Sequence, residues 1–132
     1  MKRFKPQVKR QSHIAGVLNA TEKRYADRLE LLRLAGEIVS WRYEPRKFTI
    51  AYRCTYTPDF EVVVSGKPLI VEYHEVKGGF CRDDAIVKLK VTASRFCEYT
   101  FRLAKFKAGE WKIERVKTMF ELPSPKPKKE SK

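Results

Sequence analysis

The chain has 132 residues, enough for one domain with one core and too few for two. Apolar residues make up 42% of it, which excludes a wholly disordered chain despite 34% charged residues. Lys and Arg outnumber Asp and Glu 29 to 16, a net charge of +13. That excess points to a polyanionic partner bound with counterion release, and nucleic acid comes first among polyanions.

Taken in chain order, residues 1–18 are basic and aperiodic and read as a flexible basic arm. No apolar run of signal-peptide or membrane-spanning length follows it, which implies a cytoplasmic protein with no membrane partner. The segment from Asn19 to Glu37 predicts a helix. Asn19 can cap it with Glu22 three residues on, Tyr25, Ala26, Leu29 and Leu32 form one stripe, and Gly36 suits the position after the last turn.

Strands follow. "IVSWRYEP" and "KFTIAYR" alternate, with Pro45-Arg46 at the turn between them and Phe48, Ile50 and Tyr52 on one side. Trp41, Tyr43, Phe48 and Tyr52 are assigned to the core and sheet faces ahead of base stacking, with the alternative that one exposed aromatic serves both. "DFEVVV" and "PLIVEYHEV" are the next pair, joined through Ser65-Gly66-Lys67 as a hairpin. "RDDAIVKLKVTASRFC" places Ile86, Leu89, Ala93 and Phe96 at helical spacing, and "YTFRLAKF" and "EWKIERV" form a last strand pair. The order is helix, three or four strands, helix, two strands, an α/β architecture with a mixed sheet. The folded domain spans 19–120, and residues 121–132, rich in Pro and Lys, read as a disordered tail. Cys54, Cys81 and Cys97 are odd in number, widely spaced and free of any CxxC, so they read as reduced thiols.

The middle hairpin carries the chemistry. Glu75 and Lys77 stand two apart on one strand and leave the same face. A hairpin pairing residues whose numbers sum to 131–133 sets Asp59 opposite 72–74, a step or two from Glu75. Glu72 lies on the opposite face with His74 and is the rival acid if the register shifts. Two carboxylates and an ammonium at one end of a sheet suit metal-assisted phosphodiester hydrolysis. Mg²⁺ or Mn²⁺ is held by hard oxygens, here Asp59, Glu75 and the Val76 carbonyl, and Lys77 orients water or neutralises the phosphate. Glu22 heads the apolar stripe of the first helix and so faces the core rather than solvent, while also fitting a capping box.

Pro58-Asp59 followed by Glu75-Val76-Lys77, flanked by "TEKRYADRLELLRLAGEI" and "YHEVKGGFCRDDAIVKLK", resembles the PD-(D/E)xK nuclease superfamily, and within it a family of small phage-encoded proteins. The resemblance covers most of residues 19–106. It implies a restriction-endonuclease-like core, metal ligation at Asp59 and Glu75, a catalytic lysine at Lys77 and a completing glutamate at Glu22. It also implies a polar residue of the second helix, Lys88 or Lys90, near the scissile phosphate. The expected function is a divalent-metal-dependent DNA endonuclease of low sequence specificity on duplex or branched DNA, working in the host cytoplasm if phage-encoded. The alternatives are a Holliday-junction resolvase acting as a homodimer and a catalytically silent DNA-binding protein. Arg82, Lys9 and Arg10 join Lys88 and Lys90 as candidate DNA contacts.

Overall fold

The computed structural model describes residues 16–79 and 83–121. Helix α1 (Ala20–Leu34) starts where the sequence places it. The Asn19 side chain accepts from the Glu22 N–H while the Glu22 carboxylate accepts from the Asn19 N–H, and Gly36 adopts a φ of 78° just past the last turn. Strands β1 (Ile38–Tyr43), β4 (Phe60–Val64), β5 (Ile70–Lys77), β6 (Thr100–Lys107) and β7 (Glu110–Arg115) make one mixed sheet in the order β1-β4-β5-β6-β7. Pairing is antiparallel except between β5 and β6, whose parallel alignment requires the crossover that α2 (Asp83–Arg95) supplies.

Two shorter strands, β2 (Phe48–Ala51) and β3 (Cys54–Tyr56), form a separate antiparallel hairpin. Five strands therefore precede α2 where three or four were expected. Pro45-Arg46 connects two sheets rather than two paired strands. The outcome is an α/β fold with a five-stranded mixed sheet and two helices among the described residues.

Each sheet face has its own core. Tyr25, Ala26 and Leu29 of α1 pack on Phe60, Val62, Val76 and Ala104. On the other face, Leu89 and Ala93 of α2 and Phe48, Ile50 and Tyr56 of the hairpin pack on Tyr73 and Phe101. Central strand β5 is thus buried on both sides over most of its length. Tyr52 does not join Phe48 and Ile50. The β2–β3 pairing slips between Thr49 and Ala51, and Tyr52 falls in the turn beyond, 87% exposed. Trp41 and Tyr43 pack half-buried against the α1-side core. Cys54 and Cys97 are free thiols. Among the described residues no helix is long and apolar enough to cross a membrane.

Candidate functional site

Strands β4 and β5 pair with residue numbers summing to 134, from Val64↔Ile70 to Phe60↔His74. This is one step beyond the expected register, because the chain turns through a longer loop from Ser65 to Leu69 rather than at Ser65-Gly66-Lys67 alone. The extra step sets Asp59 level with Glu75. Glu72 goes elsewhere: it accepts from Arg102 Nε at 3.0 Å and faces the α1 side with His74.

Asp59 is the hinge of the site. The ladder ends at Phe60, and the Asp59 carboxylate takes the next rung itself, accepting from the Val76 N–H at 2.7 Å. Its own carbonyl accepts from the Glu44 N–H at 2.8 Å, which ties the end of β1 to the same point. Glu44 has a φ of 45°, a left-handed conformation that costs a non-glycine residue about 1 kcal/mol or more. Oxygens of Glu22, Glu44 and Asp59 lie within 4.8 Å of one another, a group that can hold a metal ion. Glu22 is buried, with Oε1 on the Asn19 N–H at 3.1 Å and Oε2 accepting from the Tyr43 hydroxyl at 2.8 Å. One side chain therefore caps the helix and faces the site.

Glu75 and Lys77 leave the other face of β5. Glu75 accepts from the Tyr56 hydroxyl at 2.5 Å and pairs through Oε1 with Lys77 Nζ at 3.0 Å. The set thus straddles the sheet end, with Glu22 on the α1 side, Glu75 on the α2 side and Asp59 between them. A cleft of about 1020 Å³ is lined by Glu22, Glu44, Asp59, Glu75, Lys77, Asp84 and Lys88, together with Thr55, Tyr56 and Thr57 of the hairpin.

The electrostatics follow from this crowding. Burial, then the Glu75 and Glu22 carboxylates, raise Asp59 well above the ordinary carboxylate range, against the opposing pull of the Val76 N–H and Lys77. Burial and Glu75 push the Tyr56 hydroxyl up, and burial with Glu22 and Glu44 does the same for Tyr43, so both phenols stay protonated donors. Among the described residues, five carboxylates and two lysines line the cleft, in a chain of net charge +13. This carboxylate group offers only oxygen ligands to a metal ion, and a cation held there would offset the repulsion among the acids around Asp59.

Asp59, Glu75, Lys77, Glu22 and Lys88 therefore share one cleft. The expected ligands divide. Glu22 and Asp59 belong to the close carboxylate group, whereas Glu75 lines the cleft with Tyr56 and Lys77 as its partners. Val76 contributes its N–H to Asp59. Lys90 is exposed and does not line the cleft. Asp84 and Lys88, four apart on α2, both line it, with no ion pair between them among the described residues. Lys9, Arg10 and Arg82 lie outside the described residues.

Glu44 is the residue that sequence reasoning missed. Its position depends on a left-handed residue and on a backbone bond across fifteen residues, neither of which periodicity reports. The only available signal was a lone acid before Pro45 at a strand end. Comparison with protein-family models, curated proteins and solved structures finds no match to this chain.

Proposed function

We propose that the chain is a divalent-metal-dependent DNA endonuclease of the PD-(D/E)xK type, with low sequence specificity and a preference set by DNA structure. The observation that carries this reading is the meeting of Asp59, Glu75 and Lys77 with Glu22 in one cleft, on strands whose register puts Asp59 level with Glu75. The net charge of +13 supports a polyanionic substrate, and the all-oxygen carboxylate group supports Mg²⁺ or Mn²⁺.

Glu22, Glu44 and Asp59 would hold the ion, with Glu75 close by. When bound, such an ion lowers the pKa of a coordinated water and polarises a phosphoryl oxygen. The chain's own contribution is positional. The Val76 N–H fixes Asp59, and Tyr56 and Lys77 fix the two oxygens of Glu75. Lys77 also brings a positive charge to the place where phosphate charge grows, and Lys88 adds a second from α2.

The test is a panel of linear, nicked, flapped and four-way DNAs with Mg²⁺ or Mn²⁺. Wild type is expected to cut at least one form. Asp59→Ala and Glu75→Ala are expected to lose cleavage by about 10³-fold or more, roughly 4 kcal/mol of transition-state stabilisation, while still binding DNA. A folded Asp59→Ala protein that cuts like wild type would sink the reading. Selective cutting of four-way DNA by a sedimenting dimer would narrow it to a junction resolvase.

A further inference from the structure

The β2–β3 hairpin serves two purposes at its two ends. At its base, Phe48, Ile50 and Tyr56 bury against α2 and β5, and Tyr56 reaches Glu75. At its tip, Tyr52 and Arg53 form the two-residue connection between the paired Ala51 and Cys54.

Three features of the tip are unlike an ordinary turn. Tyr52 is 87% exposed, the most exposed large hydrophobic side chain among the described residues. Arg53 occupies a left-handed conformation at φ 52°, where Gly or Asn is the low-strain choice, and its guanidinium lies over the Tyr52 ring at 5.3 Å. The surrounding stretch from Pro45 to Pro58 contains Arg46, Lys47 and Arg53 and no Asp or Glu. An acid-free hairpin thus rises from a carboxylate-rich cleft. Arg46 is committed to packing, over Phe48 and bonded to the Tyr99 hydroxyl, while Lys47 and Arg53 are exposed.

The tip is also continuous with the site. Thr55 and Thr57 line the cleft, and Arg53 lies three residues from Tyr56, about 10 Å along the strand or roughly three base steps. An aromatic ring in water beside a guanidinium, at that reach from a phosphodiester-binding cleft, matches an unstacked nucleobase with its flanking phosphate. An intact duplex keeps its base faces stacked and gives the ring nothing to cover.

We infer that the Tyr52-Arg53 tip is a base-stacking contact for unpaired nucleotides next to the cut site, so that the hairpin selects single-stranded or branched DNA over blunt duplex. This rests on the DNA reading above. It assigns the preference for DNA structure to two residues outside the cleft.

The test is binding rather than cleavage. Anisotropy of fluorescein-labelled single strand, flapped duplex and blunt duplex is measured in EDTA at several salt concentrations. Wild type is expected to favour the two forms with unpaired bases. Tyr52→Ala should weaken binding to those forms by about fivefold or more and erase the preference, with Tyr52→Phe close to wild type. Arg53→Gly should reduce the salt slope by about one counterion while melting no lower than wild type, since glycine removes the backbone strain. A wild type without preference, or a Tyr52→Ala protein with unchanged binding or an equal loss on blunt duplex, overturns the inference. In those cases cleavage by wild type and its loss in Glu75→Ala still decide the nuclease reading separately. A wild type that binds none of the three DNAs overturns both.

Discussion

Two polar groups lie beside strand β5, one on its α1 face and one astride the sheet end, and they are built on opposite plans. On the α1 face, Glu72 and His74 belong to a closed chain. The Tyr25 hydroxyl donates to His74 Nδ1 at 2.5 Å, the His74 Nε2–H donates to Glu72 at 2.9 Å, and Arg102 balances the Glu72 charge. Because a carboxylate only accepts, this order also fixes the neutral imidazole tautomer. At the sheet end, the carboxyl groups of Asp59, Glu22 and Glu44 meet, and Glu75 stands nearby paired with Lys77. The first group is a closed set of donors and acceptors, whereas the second gathers three carboxylates at one point. Polar burial alone therefore does not mark a candidate site, and the convergence of several acids at one point is the better discriminator.

The largest expected effect separates the two groups by activity. Glu44→Gln should lower cleavage about 10²- to 10³-fold, some 3–4 kcal/mol, with melting temperature held or raised because one repelling carboxylate is gone. His74→Ala should do the reverse, costing about 2–3 kcal/mol in a denaturant titration by leaving Tyr25 and Glu72 buried without their partner. If His74→Ala removes cleavage at unchanged stability, the division between the two groups fails.

A smaller effect follows from pH. Burial lowers the His74 pKa below its unfolded value of about 6.5. The unfolded chain then takes up a proton as pH falls through that value while the folded chain does not. Stability is therefore full above about pH 6.5 and is lost as pH drops toward the folded pKa. For Glu72, burial pulls the pKa upward, but the bonds from His74 and Arg102 outweigh it and the net shift is downward. Its contribution is lost at lower pH, below the unfolded value of about 4.3. Melting curves from pH 8 to pH 5 should show the His74 slope, and His74→Gln should flatten it. The smallest contrast lies on α2. Lys88→Ala should cost about tenfold in cleavage and Lys90→Ala close to nothing, since only Lys88 lines the cleft.

Local signals were readable from the sequence alone. The Asn19–Glu22 cap, Gly36 and the alternation of β4 and β5 are set by residues within a few positions of one another. Asp59 and Glu75 stood out as acids at the ends of apolar strands, Lys77 as the residue two on from Glu75 on the same face, and Glu22 as the head of the apolar stripe of α1. What escaped was non-local. The pairing of β2 with β3, rather than with β1, depends on the hairpin finding α2. The one-step register change depends on loop length, and it turned Asp59 from a neighbour of Glu75 into its opposite. Glu44 reached the site only through its left-handed backbone and its bond to the Asp59 carbonyl.

The bond from Val76 to Asp59 also explains why there is a cleft at all. Strand β5 is eight residues long and β4 only five, so the two-sided ladder stops at Phe60 while β5 runs on against β6 alone. The cleft is the missing corner of the sheet, and Asp59 is the peg that keeps its edge from closing. Continuing β4 backwards by a residue or two of ordinary strand would place backbone where the carboxylates now gather. The activity proposed here is then a property of an unfinished strand, held open by one side chain that replaces one peptide carbonyl.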